Sequence, residues 1–378
     1  MPGRDDGAGS INQQDVLAAL RGVKDPDLGR DLVDLGMIKN VKVEDGRLSL
    51  TVELTTPACP LKSKIEQDVR DALRRNLPQF AEVQITMGAN VRGKAFVQKE
   101  DIVGIKNIFA VGSGKGGVGK STVAAALAFG LKSYGAKVGL MDADVYGPSQ
   151  PHLLGITGHR PMARDIVDSQ GNRKQQIVPI EVDGLKIMSI GLVVPKGEAM
   201  IVRGPILHQI MNQFLRDVEW GELDYLVIDL PPTTGDVPLS LSQLIPMTGG
   251  VIVCTPQDVA LIDAERAVAM FRKLKVPILG VIENMSHFDC PHCGRRTDIF
   301  GTGGAQQLAE REGLAFLGEI PINLQIRLRG DAGQIAALFH DDSPVRSFLL
   351  HICEQLAAQI SIQNIQQPKL PKLEIVGS

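Results

Sequence analysis

The chain has 378 residues and a formal net charge of −3, so it carries no overall basic field that would recruit nucleic acid. Aromatic residues make up only 4% of it, which argues against a stacking surface for single strands, and no apolar run reaches the roughly eighteen residues of a membrane-spanning helix. The five cysteines, an odd number, predict no disulfide framework and favour a reducing cytoplasm.

These properties predict a cytoplasmic protein whose partners are neither nucleic acid nor a membrane. At this length the chain can hold two domains, and changes in composition divide it into five segments. We predict a disordered leader over residues 1–10, a small α+β domain over 11–88, a linker over 89–106, a large α/β domain over 107–362 and a flexible tail over 363–378.

The small domain alternates helical and extended patterns. We predict helices near residues 12–22 and 61–76 and strands near 37–43, 47–54 and 82–87, with a hairpin turn at Glu44, Asp45 and Gly46. Cys59 falls just before the second helix, and a position at a helix N-terminus lowers the pKa of a thiol and favours the reactive thiolate. The alternative is a half-buried cysteine without chemistry.

A resemblance adds weight to the first reading of Cys59. Residues 25–28, 31–38 and 54–61 resemble the small domain found in several iron–sulfur assembly factors. The resemblance implies a functionally important cysteine at Cys59, which we treat as an auxiliary candidate site.

The large domain alternates apolar strands with helical patterns. Strands are predicted near residues 107–111, 137–141, 186–190, 225–228, 250–254, 278–282 and 315–317. This alternation is typical of a mostly parallel sheet covered by helices on both faces. In such sheets ligands bind beyond the carboxyl ends of the strands.

A glycine-rich segment after the first strand of this domain has the spacing of a phosphate-binding loop. Residues 114–121 read G-x-x-x-x-G-K-S, between a strand and a helix as the motif requires. Backbone N–H groups of such a loop surround an anion, while Lys120 reaches the β- and γ-phosphates of ATP and the Ser121 hydroxyl ligates Mg²⁺. The predicted nucleotide-binding residues are Gly114, Lys115, Gly116, Gly117, Val118, Gly119, Lys120, Ser121 and Thr122.

Lys115 stands at a position that the general motif leaves free. A cation between two glycines cannot easily fold back onto its crowded loop, so we expect it to point outward, toward a nucleotide held by a facing subunit. There it would stabilise the γ-phosphate transition state as an arginine finger does. Lys115 resembles the signature lysine of the deviant Walker A ATPases, which include MinD, ParA and the nitrogenase iron protein, and this resemblance implies an ATP-dependent homodimer.

Four further polar residues complete the predicted ATP site. Asp142 and Asp144 end a strand, and the segment resembles switch I of the same ATPases, with Asp144 in the position of the water-activating aspartate and Asp142 supporting it. Asp229 ends an apolar strand of Walker B form, which predicts a place near the magnesium through a water; the alternative is a solvated acid. Asn284 matches the asparagine used on the adenine edge, and its alternative is a turn asparagine.

Cys290 and Cys293 form a C-x-x-C turn in a polar loop, which places two thiolates on one side of a tight bend and favours a metal centre. Four ligands are usual and no second C-x-x-C occurs. Two chains could each give two thiolates to a shared [4Fe–4S] cluster, or His287 and His292 could join the pair around one zinc, although His292 is poorly placed for that. The dimer implied by Lys115 favours the shared cluster.

The large domain as a whole resembles the Mrp/ApbC family of iron–sulfur cluster carriers related to MinD. The resemblance rests on residues 114–122, 142–149, 203–205, 229–233, 283–286 and 290–293. It implies a P-loop ATPase that hydrolyses ATP with Mg²⁺, in which Lys115, Lys120, Asp144 and Asp229 are the catalytic residues. It further implies a [4Fe–4S] cluster held across a homodimer and passed to apo iron–sulfur proteins, in contact with the cluster assembly machinery.

Two other functions stay open at this point. A spatial-organising ATPase of the MinD/ParA type would act on membrane or DNA, but the C-terminal tail holds two prolines and only Lys369 and Lys372 as basic residues, too few for a surface anchor. The third possibility is a regulatory NTPase whose C-x-x-C loop binds structural zinc.

Overall fold

The computed structural model describes residues 11–44, 47–80, 82–93, 104–167, 171, 173–194, 204–232, 235–340 and 344–366. The chain divides into two compact units, residues Met1–Val91 and Arg92–Ser378. The predicted leader, the hairpin turn at residues 45–46 and residues 94–103 of the predicted linker lie outside the described part.

The N-terminal unit is a small α+β fold, as predicted. Its elements are α1 (Gln13–Ala19), β1 (Ile38–Glu44), β2 (Arg47–Leu54), α2 (Lys62–Asn76) and β3 (Glu82–Ala89). In the sheet β2 lies between β1 and β3, antiparallel to the first and parallel to the second. β2 buries every second residue, and the buried side of α2 carries Ile65, Val69 and Leu73, so the two periods of 2.0 and 3.6 residues define one core.

The C-terminal unit is built on a large, mostly parallel sheet. Its strands are β4 (Ile105–Gly112), β5 (Val138–Asp142), β6 (Met162–Val167), β7 (Arg173–Val178), β8 (Ile180–Val182), β9 (Leu185–Ser189), β10 (Leu223–Asp229), β11 (Gly249–Cys254), β12 (Ile278–Asp289), β13 (Arg296–Thr297) and β14 (Phe316–Ile322). The sheet order is β13-β12-β11-β4-β10-β5-β9-β8, with β14 paired to β12. Only the pairings of β8 and β13 in this sheet are antiparallel, among the described residues.

Helices cover both faces of this sheet. They are α3 (Lys120–Ser133), α4 (Gln150–Leu153), α5 (Gly204–Arg216), α6 (Asp236–Leu244), α7 (Asp258–Lys273), α8 (Gly304–Glu312), α9 (Leu324–Asp331) and α10 (Pro344–Gln366), with short 3₁₀ helices at Ile190–Leu192 and Ile335–Phe339. α3 and α10 pack together on one face, while α5 to α8 bury their apolar sides in the core of the other. This is the predicted P-loop NTPase architecture.

The structure differs from the predicted elements in several places; β8 and β13 were not predicted, and β14 continues to Ile322 beyond the predicted end at residue 317. β6 and β7 pair as a separate two-stranded sheet that no sequence pattern predicted, because β6 exposes five of its six residues and lacks alternating burial. β12 continues to Asp289, well beyond the predicted end at residue 282. α10 extends to Gln366, so residues 363–366 of the predicted tail are helical, and residues 367–378 lie outside the described part.

Within the described residues, no helix combines the length and apolar character needed to cross a bilayer.

Phe271 of α7 is a key packing residue of the C-terminal unit. It is fully buried, and its ring lies so close to Gly112 and Gly250 that a Cβ on Gly250 would stand 2.6 Å from it. We expect Phe271→Ala to lower the free energy of unfolding by about 3–5 kcal/mol. Urea unfolding followed by the fluorescence of Trp220 measures this change. Trp220 is the single tryptophan of the chain and is buried in the same unit. Lys273→Ala, an exposed change on the same helix, is the control and should alter the free energy of unfolding by less than about 0.5 kcal/mol; equal effects would contradict this packing role.

Candidate functional site

The glycine-rich loop joins the end of β4 to the start of α3. Gly117 and Gly119 adopt φ angles of 80° and 81°, in the left-handed region that favours glycine, and Gly119 is the N-cap of α3. Ser113 Oγ donates a hydrogen bond to the Lys115 carbonyl at 2.9 Å, which fixes the first turn. The loop lines an open cavity of about 270 Å³ together with Asp144, Ser149, His152, Leu153 and Pro232. Strand, loop and helix therefore follow one another as the sequence predicts, and the loop borders one cavity.

Lys120, which lines this cavity, forms a buried ion pair with Asp229. Lys120 is 5% exposed and Asp229 is fully buried, and the ammonium group contacts a carboxylate oxygen of Asp229. Lys120 Nζ also lies 3.2 Å from Ser121 Oγ. The structure thus brings together the predicted phosphate-binding lysine, the predicted Mg²⁺ ligand and the Walker B carboxylate.

Gln150, which the sequence did not single out, lies in the same cluster. Its Nε2 donates to Asp229 Oδ2 and to the Ser121 carbonyl, both at 2.9 Å. Its Oε1 is buried with no hydrogen-bond partner among the described residues, so one acceptor remains for a ligand or water. A glutamine at the start of a four-residue helix carries no sequence signal for such a role.

The carboxylates of Asp142 and Asp144 occupy different surroundings. Asp142 is fully buried and accepts from Ser189 Oγ at 2.9 Å, Gln150 N at 3.2 Å and Asp144 N at 3.1 Å. Burial and the nearby charge of Asp229 raise the pKa of Asp142 to about 8. Burial also raises the pKa of Asp144, against the opposing charge of Lys120. Asp144 lines the cavity, whereas Asp142 lies behind it, an arrangement in which Asp142 orients the segment that carries Asp144.

Lys115 is half-buried at the mouth of the cavity. It forms no ion pair with another described residue. The preceding Gly114 packs against the backbone of α7, because a Cβ there would stand 1.9 Å from the Asp263 carbonyl oxygen. Only glycine fits this contact, so Gly114 fixes where Lys115 leaves the loop.

Asn284 lies against the glycine loop. Its Nδ2 donates to the Val118 carbonyl at 2.8 Å, and a Cβ on Gly119 would stand 2.2 Å from that nitrogen. Asn284 is therefore a brace for the loop in this structure, and its predicted place on the adenine edge stays a prediction.

Glu283, the neighbour of Asn284 on β12, contacts a different segment. Its buried carboxylate accepts from Gly303 N at 3.2 Å and Ala305 N at 2.8 Å, at the N-terminus of α8, where a negative charge is favourable. Two consecutive residues of β12 therefore form hydrogen bonds to different segments. Asn284 contacts the glycine loop, and Glu283 contacts the segment that follows the cysteine loop.

Cys290 and Cys293 lie at the tip of a hairpin that extends β12. Residues 288–289 pair antiparallel with β13, and the turn is closed by Cys290 N on the Arg295 carbonyl at 3.1 Å and Gly294 N on the Cys290 carbonyl at 2.8 Å. Cys290 is partly exposed and Cys293 is exposed. The backbone N–H groups of His292 and Cys293 donate to Cys290 Sγ and lower the pKa of its thiol, which favours the metal-binding thiolate.

The zinc arrangement that the sequence left open is not formed by the described residues. His287 is 3% exposed and its Nδ1 lies 2.9 Å from Ser286 Oγ, with Nε2 3.3 Å from Asp289. No group of three or more His, Cys, Asp or Glu in the described part of the chain is arranged to hold a metal ion.

The remaining three cysteines divide as their sequence contexts suggest. Cys254 and Cys353 are core residues, and burial raises the pKa of Cys254 to about 12 and also that of Cys353. Cys59 is half-exposed in the turn before α2, where its carbonyl accepts from Lys62 N at 3.4 Å. None of the five cysteines, all of which lie in the described residues, forms a disulfide.

The raised pKa of Asp142 predicts a pH dependence of stability. Because the folded protein holds this proton more tightly than the unfolded chain, the contribution is complete below the ordinary pKa of 3.8 and is lost as pH rises to about 8. We expect Asp142→Asn to remove this loss. Between the ordinary pKa of 3.8 and pH about 8, the free energy of unfolding of the variant should therefore rise by at least about 1 kcal/mol relative to that of wild type. Urea unfolding of the nucleotide-free protein across that window measures the difference. Asp165→Asn, at an exposed carboxylate, should run parallel to wild type; a parallel Asp142→Asn profile would show that Asp142 is ionised throughout.

Comparisons with known proteins agree with this arrangement. A family described as NUBPL iron-transfer P-loop NTPase matches residues 104–357, and one described as iron-sulfur cluster assembly protein matches residues 13–87. An iron-sulfur cluster carrier protein of Deinococcus radiodurans is 49% identical over 352 residues, which are 93% of this chain and 97% of that protein. The iron-sulfur cluster transfer protein NUBPL of Dictyostelium discoideum is 44% identical over 297 residues, 78% of this chain and 89% of that protein.

A solved structure shares the fold of the C-terminal unit. A nucleotide-binding protein of Archaeoglobus fulgidus in complex with ADP is 39% identical, with a TM-score of 0.55 over 66% of this chain and 93% of that one. The matched residues, the high identity and the glycine loop lead to one assignment: the chain belongs to the NUBPL iron-transfer family of P-loop NTPases.

Proposed function

We propose that this protein is an ATP-hydrolysing carrier that binds a [4Fe–4S] cluster between two copies of itself and transfers it to apoproteins. The observation that carries the proposal is the construction of β12. This strand braces the glycine loop through Asn284 and ends in the hairpin that presents Cys290 and Cys293. The strand that braces the glycine loop therefore also leads into the loop that carries the two thiols. The names of the relatives in Deinococcus and Dictyostelium support the cargo.

On the nucleotide side, this chain's residues fit ATP with its magnesium ion. Ser121 would hold Mg²⁺ and Asp229 would contact it through a water; when bound, the ion neutralises charge on the β- and γ-phosphates. Gln150 Oε1, which has no hydrogen-bond partner within the described part of the chain, fits a site that is completed by a ligand. Lys120 would exchange its contact with Asp229 for the phosphates, an exchange that keeps its buried charge paired throughout.

Asp144 is placed to act on the attacking water. It lines the cavity beside the glycine loop, and its raised pKa makes it a better proton acceptor than an ordinary aspartate. Water attacks the γ-phosphorus, the bond to the β-γ bridging oxygen breaks, and ADP and phosphate leave. Asn284 would contact the adenine edge once the loop is occupied.

Lys115 would serve the nucleotide of the partner chain. It lies at the cavity mouth with no ion pair to a described residue, and the Gly114 contact with α7 fixes its exit from the loop. A cation delivered in trans couples hydrolysis to dimer geometry.

On the cargo side, two hairpins would supply the four thiolates that a [4Fe–4S] cluster takes. The exposed position of Cys293 and the lowered pKa of the Cys290 thiol fit a cluster that is handed on rather than kept. ATP binding and hydrolysis would alter the dimer geometry and so gate loading or release. The recipients would be apo iron–sulfur proteins in the cytoplasm, with the N-terminal unit and Cys59 as an auxiliary contact to the assembly machinery.

Replacing the hairpin thiols tests the cargo. After anaerobic reconstitution with iron and sulfide, we expect wild type to hold one [4Fe–4S] cluster per dimer, and Cys290→Ala or Cys293→Ala to lose it, because each change removes two ligands from a shared site. Iron, sulfide and zinc analysis with ultraviolet–visible spectra measures this. Cys254→Ala, a buried thiol of the same unit, should retain the cluster. Stoichiometric zinc without sulfide in wild type would refute the proposed cargo.

Replacing Lys115 tests its action in trans. Lys115→Ala should lower the turnover number for ATP about a thousandfold while nucleotide affinity changes little, whereas Lys120→Ala should lose nucleotide binding. Asp144→Asn should also be inactive alone. Mixing Lys115→Ala with Asp144→Asn should restore activity, because one site of the mixed dimer has its own Asp144 and a partner lysine. Absence of restoration, with mixed dimers demonstrated, would place Lys115 in its own chain's site.

A further inference from the structure

A broad open cavity of about 920 Å³ lies on the N-terminal unit, between α2 and the segment that follows α1. We call it the α1–α2 groove. Two carboxylates line it, those of Asp68 and Asp71. Five exposed cationic side chains outnumber them: Arg21, Lys24, Lys64, Arg74 and Arg75. The groove is therefore locally basic on a chain whose formal net charge is −3.

The backbone on both sides of the groove is held in place. On one side, Gly22 N donates a hydrogen bond to Asp31 Oδ2, and Lys24 forms an isolated antiparallel bridge with Asp31. On the other side, α2 is joined to the end of α1, because Asn76 Nδ2 donates to the Ala19 carbonyl at 2.7 Å. Cations carried on fixed backbone lose less conformational entropy when they bind a ligand.

The position of Lys64 is not explained by the stability of the fold. Lys64 lies in the first turn of α2, where the helix dipole disfavours a cation, and no acidic residue of that turn offsets it. Its ammonium group makes no ion pair within the part of the chain that the structure describes. Arg74 and Arg75 lie in the last turn, where a cation is favourable. Helix stability thus accounts for the two arginines and leaves Lys64 for a ligand.

The spacing of the charges indicates what kind of anion fits. Lys64 and Arg75 are eleven residues apart on α2, which is about 16 Å along the helix axis. A single phosphate or carboxylate ion cannot reach both ends, whereas an extended peptide of about five residues spans that length.

The other residues of the groove favour a peptide over a nucleic acid. None of the described residues that line it is aromatic, so bases would have no ring to stack on. Asp68 is half-buried in the groove and can accept a hydrogen bond from a peptide N–H group. A phosphodiester backbone offers no such donor and would be repelled by both carboxylates.

We propose that the α1–α2 groove binds an extended acidic peptide segment of a partner protein. Carboxylates of that segment pair with Lys24, Lys64 and Arg74, and one of its backbone N–H groups donates to Asp68. The inference does not rest on the proposed function, because no residue of the groove belongs to the nucleotide site or to the cysteine hairpin.

Fluorescence anisotropy of the full chain with fluorescein-labelled hexaglutamate tests the proposal. We expect Lys24→Glu and Lys64→Glu each to weaken binding about tenfold or more, because each sets a like charge against the probe. Lys39→Glu is the matched control, since Lys39 is an exposed lysine of β1 that does not line the groove. It changes the net charge equally and should bind within about twofold of wild type at about 0.1 M salt, where distant charges are screened.

Two further measurements show that the variants are intact. Lys64→Glu places an acidic residue in the first turn of α2, where it favours the helix, so its thermal unfolding should not fall below that of wild type. ATP hydrolysis by all three variants should equal that of wild type.

Four results would overturn the inference. The first is that wild type does not bind hexaglutamate, and the second is that Lys39→Glu weakens binding as much as the groove variants do. The third is displacement of the probe by an equal concentration of inorganic phosphate, which would make the groove a small-anion site. The fourth is tighter binding of single-stranded oligothymidylate, lost in the same variants, which would assign the groove to nucleic acid. Each result leaves the ATP and cluster tests of the proposed function unaffected.

Discussion

The register of three parallel strands determines the nucleotide site. β10 lies between β4 and β5, with Asp229 paired to Val111 on one side and to Asp142 on the other. The three strands therefore end level with one another, so that the glycine loop, Asp229 and the segment that carries Asp142 and Asp144 start from one edge. The same register buries two carboxylates side by side, and their repulsion must be relieved. Lys120 neutralises the charge of Asp229. Asp142 accepts three hydrogen bonds, and its raised pKa favours the uncharged carboxyl group.

The buried cluster of Lys120, Asp229 and Asp142 serves function rather than stability. Taking Lys120 and Asp229 out of water costs desolvation that their attraction barely offsets, whereas an apolar pair would pack at no such cost. The arrangement keeps charges ready for a ligand that carries several of its own. Gln150 belongs to the same device, since its amide holds Asp229 while its oxygen remains without a partner among the described residues.

β12 links the glycine loop to the cysteine hairpin through the backbone of one strand. Asn284 holds the glycine loop, Glu283 caps α8 behind the hairpin, and the strand then continues to Asp289, past an irregularity between Asn284 and Phe288 at which Met285 has a φ of 57°. A displacement of the loop by a nucleotide would act on a strand rather than on a flexible linker. The connection fits a carrier in which ATP and cargo must be sensed together.

Features made by neighbouring residues could be predicted from the sequence alone: the strand–loop–helix around Lys120, the tight C-x-x-C turn, the alternating apolar strands and the mostly parallel sheet. Local spacing fixes these, because backbone geometry repeats over a few residues. Contacts between distant segments needed the tertiary structure. The Asn284 contact with Val118 spans 166 positions, and Gln150, Ser189 and Asp263 reach the site only through strand order and helix packing. The exposed β6–β7 pair and the length of β12 also escaped prediction, because partners on other strands, rather than their own residue patterns, decide where those strands form and end.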